Sequence, residues 1–335
     1  MSAPLLEIEH LHVELPVEGR MRPVIHDLSL AIAPGEAVGL VGESGSGKSM
    51  TARSVIRLLP RGAAVAGALR CGGTDVLALD RRGLRAFRAN EVGMVFQDPR
   101  AHVNPIRSIG DFLVETLVTV RGVPRETALA RAQEMLRAVV IADAPRRLRQ
   151  HPYELSGGLL QRVMIASVLL AEPRLILADE PTTALDVTTQ EEVVAILDEQ
   201  RRERGVAMLF ITHDLELAAA VCDRIVVMYA GGIVEDRPAT TLHGEARHPY
   251  TRALLASRPV GPATGEPLPA IPGRPLSAFE APGGCAFATR CPYVRDACRA
   301  ERPPLRTLDE GCVACHFAEE IRDGVADGKR EANHV

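Results

Sequence analysis

Three short runs of residues in this chain could together handle a nucleoside triphosphate. Gly42-Glu43-Ser44-Gly45-Ser46-Gly47-Lys48-Ser49 fills the phosphate-loop pattern in full. Its glycines let backbone N–H groups face phosphate oxygens, Lys48 brings a positive charge, and Ser49 offers an oxygen to magnesium. A helix starting at Lys48 adds its positive end to that anion site. Leu175-Ile176-Leu177-Ala178-Asp179-Glu180 reads as an apolar strand ending on two acids. Asp179 could hold magnesium, directly or through water, and Glu180 could orient and polarise an attacking water. Ser156-Gly157-Gly158 stands between the two, with Gly158 21 residues before Asp179. Alone it would be an ordinary serine N-cap opening a helix; its place between phosphate loop and acidic strand gives it weight.

Such groups need a scaffold that brings distant residues to one point. Leu5 to Leu15 and Val24 to Ile32 read as strands separated by a Gly/Pro-bearing turn. Ala37 to Val41 is a short apolar strand entering the phosphate loop, and a helix follows from Lys48 to about Leu59. Val92 to Phe96 is a further buried strand. Arg107 to Arg121 and Arg125 to Ile141 carry helical apolar spacing, punctuated by Pro124. Gly157 to Leu170 reads as a helix, Leu175 to Ala178 as a strand, Val187 to Arg204 as a helix and Ala207 to Ile211 as a strand. This alternation predicts an α/β core with a mainly parallel sheet, interrupted by an inserted helical subdomain over about 97–155. Ten of the 24 prolines lie between Pro259 and Pro304, so long regular elements are not expected there. The polar tail after Arg322 reads as disordered.

Composition excludes several classes. With 335 residues and 46% apolar content the chain can bury a sizeable core. A net charge of −4 leaves no electrostatic footprint for nucleic acid, and Arg81-Arg82 and Arg146-Arg147 are short enough to be solvated surface. The start has no basic region followed by an apolar run, and no apolar stretch approaches the roughly 20 residues that span a bilayer. A soluble chain is therefore expected, with any membrane role exerted through a partner. Five of the seven cysteines fall in the last 51 residues, and in a reducing compartment metal or cluster ligation outranks disulfides for them.

In this order and spacing the motifs resemble an ABC-type ATPase over roughly residues 1–245. Leu155-Ser156-Gly157-Gly158 resembles the ABC signature, Asp179-Glu180-Pro181-Thr182 and Ala184-Leu185-Asp186 look like the Walker B strand and D-loop, Gln97 like the Q-loop glutamine, and His213 like the switch histidine. The resemblance implies a P-loop NTPase core working as a pair of ATPase subunits around shared ATP and Mg2+. It implies that Gln97 senses magnesium and the γ-phosphate, that His213 contacts the γ-phosphate, and that Ser156, Gly157 and Gly158 touch ATP held by the opposite subunit. It implies that Asp186 helps couple the two sites. Two departures stand out. Leu159 and Leu160 occupy positions where relatives often carry polar or basic residues. Leu15 stands where relatives place an aromatic against adenine, and no Phe, Tyr or Trp precedes Phe87, so adenine is expected on aliphatic side chains.

His248-Pro249-Tyr250-Thr251-Arg252-Ala253-Leu254-Leu255, then Ile271-Pro272-Gly273, looks like the C-terminal extension of oligopeptide/dipeptide importer ATPases. Residues 246–335 are thus expected to form an irregular Cys/Pro-rich extension. Cys285, Cys291 and Cys298 follow as C-x5-C-x6-C, and Cys315 closes the set. In some dipeptide-importer ATPases this pattern resembles a 4Fe–4S site; four thiolates also suit zinc. Cys312 is an alternative fourth ligand, Cys71 and Cys222 read as core residues, and because the cysteine site is remote in sequence from Lys48 and Glu180 its first role is expected to be structural or in partner docking, not in hydrolysis. The implied function is the ATP-hydrolysing subunit of a peptide-type importer on the cytoplasmic face of the membrane. Its implied partners are a second, different ATPase chain, two permeases and an external solute-binding protein. A soluble ABC ATPase acting on nucleic acid or the ribosome is the alternative class, disfavoured by the missing basic patch and missing second cassette. A metal-sensing regulatory ATPase is another.

Overall fold

A computed structural model of the chain describes residues 3–183, 185–257 and 270–322. Twelve strands run through these residues: β1 Leu6–Val17, β2 Arg20–Ile32, β3 Ala37–Val41, β4 Ala64–Cys71, β5 Thr74–Asp75, β6 Val92–Val95, β7 Leu175–Asp179, β8 Ala207–Thr212, β9 Arg224–Tyr229, β10 Gly232–Pro238, β11 Arg306–Leu308 and β12 Gly311–Val313. They form two sheets. The smaller is antiparallel with order β2-β1-β4-β5, and the larger has order β11-β12-β10-β9-β3-β8-β7-β6. In the larger sheet β9, β3, β8, β7 and β6 run parallel, while β10, β12 and β11 add an antiparallel edge.

Strands β3, β6, β7 and β8 are buried along their whole length, which explains their mostly apolar runs. Their two faces belong to different cores. Val38, Leu40, Leu177 and Leu209 pack with the antiparallel sheet, whereas Ile176, Ala178, Met208 and Phe210 pack with the helices of residues 109–204. Between β6 and β7 the described residues are helical or irregular, with helices Ile109–Thr119, Arg125–Ala138 and Gly157–Leu170 as the long elements. Ser108 and Ser156 open two of these by accepting hydrogen bonds from Asp111 N–H at 3.1 Å and Leu159 N–H at 3.4 Å.

One expectation needs correction. The helix after the phosphate loop ends at Val55, not near Leu59, because Arg57 turns left-handed at φ +50° and the Leu58 N–H closes back on Arg53 C=O at 2.8 Å. The C-terminal extension, residues 246–335, contributes to the larger sheet. β12 pairs with β10, Val313 facing Glu235 and Cys312 facing Asp236, so residues 306–313 finish the edge of the larger sheet. The tail after Arg322, the prolines between 259 and 269, and Ala184 lie outside the described residues.

Candidate nucleotide site

The carboxyl ends of four parallel strands converge on one site, the usual place for a ligand in an open α/β sheet. β3 leads into Gly42–Ser49, β7 ends on Asp179 and Glu180, β8 is followed by His213, and β6 by Gln97. Gly42 must be glycine: a Cβ there would stand 2.2 Å from the Met228 carbonyl oxygen of β9. The loop then turns into helix Lys48–Val55, whose first N–H groups face the loop.

Lys48 is buried and donates through Nζ to the carbonyls of Gly42 at 2.8 Å and Glu43 at 3.0 Å. Burial pulls its pKa down, and the nearby acids Glu180, Asp179 and Glu43 oppose that shift. Ser49 Oγ donates to Asp179 Oδ1 at 2.6 Å, which places the two expected magnesium ligands side by side. Asp179 is buried, so its pKa is raised, and the Ser49 hydrogen bond and the Arg53 charge at 4.0 Å act against that rise. A divalent cation between Ser49 and Asp179 would favour the carboxylate further. Ser46 Oγ is buried without a hydrogen-bond partner, a donor left over for a phosphate oxygen.

Glu180 leaves the end of β7 in a left-handed conformation, φ +44°, fixed by its N–H donating to Ile211 C=O at 3.0 Å. Its carboxylate accepts from Gln97 Nε2 at 3.0 Å and from Thr183 Oγ1 at 2.8 Å, and His213 Nδ1 lies 3.9 Å away. The structure therefore assembles Gln97, Glu180 and His213 into one polar group beside Lys48, Ser49 and Asp179. Thr183 and Arg53 join it without having been singled out in the sequence.

Ser156, Gly157 and Gly158 line a different concavity, of about 340 Å³, together with Leu185 and Asp186. Asp186 caps helix Val187–Arg204, its Oδ1 accepting from Thr189 N–H at 3.0 Å and its Oδ2 from Thr189 Oγ1 at 2.8 Å. These bonds hold its carboxyl below the ordinary range. Neither Lys48 nor Glu180 lines this concavity. Leu15 is half-buried against the core of the antiparallel sheet and pairs with Arg22 across β1 and β2.

The four spaced cysteines come together. Cys285, Cys291, Cys298 and Cys315 line one small apolar cavity of about 20 Å³, whereas Cys312 lies on β12 with its sulfur 3.9 Å from Thr307 Oγ1. Gly284 permits this: a Cβ there would meet the Arg299 carbonyl oxygen at 2.5 Å and block the approach of Cys285 to helix Asp296–Ala300. Burial raises the Cys315 thiol to about 12 and Cys291 to about 11, and in both the neighbouring cysteine sulfurs add to the rise. A cationic core is what such a set needs to stay ionised. The donor chemistry thus fits a thiolate-held group. Among the described residues, however, no group of three or more His, Cys, Asp or Glu side chains is arranged to hold a metal ion. Cys71 and Cys222 are buried as expected.

The extension is remote from the phosphate loop in sequence but touches it in space. Glu43 N–H donates to Tyr250 Oη at 2.9 Å, Ala278 N–H to Gly45 C=O at 3.2 Å, and Arg290 forms a paired bond with the Glu43 carboxylate. Tyr250 belongs to the run that resembles importer ATPases, yet nothing in the sequence links it, or Arg290, to the phosphate loop.

Residues 25–183 match the ABC transporter family. The fold superposes on the ATP-binding cassette MJ0796, in a dimeric post-hydrolysis state bound to ADP and Pi, with TM-score 0.63 and 28% identity, covering 70% of this chain and 98% of that one. Fold and site thus define an ABC-type ATPase, and ATP hydrolysis is its activity. Residues 234–298 match the C-terminal region of oligopeptide/dipeptide transporters. Over 320 residues the chain is 44% identical to a putative peptide import ATP-binding protein of Brucella abortus, covering 92% of this chain and 95% of that one. It is 39% identical to the oligopeptide transport ATP-binding protein OppD of Salmonella typhimurium, covering 93% of each. The chain belongs to the oligopeptide/dipeptide branch of the ABC transporter ATP-binding proteins.

Proposed function

We propose that this chain is one of two ATPase subunits that power import of peptides, or of a related small solute, from the cytoplasmic face of the membrane. The observation that carries the reading is the oligopeptide-type C-terminal region folded onto the phosphate loop of an ABC cassette. No described helix is long and apolar enough to cross a membrane, and the reading assigns the translocation path to two permease partners fed by an external solute-binding protein.

In this reading Gly42, Glu43, Ser44, Gly45, Ser46, Gly47, Lys48 and Ser49 cradle the phosphates, and Ser49, Asp179 and Gln97 serve magnesium. Glu180 polarises the attacking water, with Gln97 and His213 beside it facing the γ-phosphate. Ser156, Gly157 and Gly158 act on ATP in the opposite subunit, which is supported by their lining a concavity of their own with Asp186, away from Lys48. Cys285, Cys291, Cys298 and Cys315 hold a 4Fe–4S cluster, with zinc as the alternative, a reading supported by the four cysteines lining one cavity. When bound, the cluster supplies covalent cross-links to a segment with few regular elements.

Purification of the tagged chain from detergent-solubilised membranes tests the assignment. The expected eluate contains two permeases and a second ATPase of different sequence. Recovery only from the cytosol, alone or with ribosomes or nucleic acid, contradicts it.

A further inference from the structure

We infer that Arg290, in the middle of the cysteine loop, is a positioning residue for ATP binding, acting through Glu43 of the phosphate loop. The inference rests on the reading of Gly42–Ser49 as the phosphate cradle. Glu43 places a carboxylate in a loop meant to hold a triphosphate, and like charges at such range oppose binding. Arg290 answers that charge with a two-pronged contact, Nη1 to Glu43 Oε2 at 2.7 Å and Nη2 to Glu43 Oε1 at 3.1 Å.

The guanidinium is itself held firmly. It is only 4% exposed, and Nε donates to Pro272 C=O at 2.8 Å while Nη1 reaches Tyr229 Oη at 3.3 Å. The Tyr229, Tyr250 and Phe287 rings pack against one another at the same junction, with ring centroids 4.7–5.4 Å apart. Tyr250 accepts from the Glu43 N–H, so both the backbone and the side chain of Glu43 are fixed by residues outside the phosphate loop. Such a pair neutralises the acid and sets the loop in one conformation before ATP arrives. Arg290 lies directly before Cys291 in the chain and five residues after Cys285. The packing of the cysteine loop thereby sets the electrostatics of the phosphate loop.

The test is a mutant cycle on the ATP dissociation constant of the full chain, with thermal unfolding as a check on folding. Arg290→Met frees the Glu43 carboxylate and is expected to weaken ATP binding about tenfold. Adding Glu43→Gln removes the freed charge and is expected to restore affinity to within about threefold of the native chain. A purely structural role for Arg290 predicts no such recovery. An Arg290→Met constant within about twofold of native, or a tenfold loss that Glu43→Gln does not relieve, overturns the inference. If Arg290→Met does not fold, Arg290→Lys keeps the charge without the fork. It keeps Glu43 neutralised and is expected to bind ATP within about threefold of the native chain, whereas a loss of about tenfold would come from the missing fork and not from a freed charge, and overturns the inference. Lys48→Ala runs alongside: if it binds ATP as the native chain does, the cradle reading fails and the inference with it, whereas a failed Arg290 cycle beside a weak Lys48→Ala leaves the cradle standing.

Discussion

Glu180→Gln is expected to cut ATP turnover by about a thousandfold while leaving ATP affinity within a few-fold of native. The amide keeps an oxygen that can accept from Gln97 Nε2 and Thr183 Oγ1, the two donors that orient the native carboxylate. What is lost is the charge that polarises water. Asp179 and Ser49 are untouched, so magnesium and phosphate contacts persist. With binding intact and hydrolysis blocked, the two-subunit assembly should accumulate in its closed, ATP-bound form. Steady-state phosphate release and ATP binding on the same preparation decide the matter. Turnover within tenfold of native in the assembled complex would remove Glu180 from the catalytic role.

Cys291→Ser carries the second large effect. Protein purified without oxygen is expected to contain about four iron and four acid-labile sulfide per chain, and the variant close to none. The four sulfurs already line one cavity, and replacing one thiolate by a hydroxyl removes a soft ligand that iron requires. Assembly with the membrane partners should weaken because the loop from Cys285 to Cys298 loses its cross-links. Native protein with four titratable thiols and no stoichiometric iron or zinc under the same conditions would rule the site out.

Residues whose chemistry depends on short-range spacing were legible in the sequence, and those joined only by the fold were not. Helix Val187–Arg204 was readable at both ends because Asp186 caps its start and Gly205 closes it at φ +63°. Helix Gly157–Leu170 was readable for the same reason, through Ser156. β4 escaped notice because Ala64–Cys71 is built from small residues with little alternation, and its strand character comes from pairing with β1. β11 and β12 escaped because three residues carry no periodicity; the waiting edge of β10 makes them strands. In the site, Lys48 and Ser49 open the helix after the phosphate loop, and Asp179, Glu180, Gln97 and His213 sit at or just beyond strand ends, so their motifs announced them. Arg290 and Glu43 are separated by 247 residues, and no spacing rule joins a guanidinium to a carboxylate across that distance. The same holds for Tyr250 and the Glu43 N–H, 207 residues apart.

The central claim is that ATP hydrolysis at this site drives uptake. It is tested most directly by reconstituting the chain with its permeases and ATPase partner in vesicles. The vesicles are oriented with this chain outside and loaded with the solute-binding protein and radiolabelled peptide. Added Mg-ATP is expected to move peptide outwards from the lumen, which corresponds to the cytoplasmic direction in the cell. Transport should stop with Glu180→Gln, and turnover should fall when the binding protein is left out. Peptide retained in the lumen while ATP is hydrolysed at an unchanged rate with and without the binding protein would contradict the account.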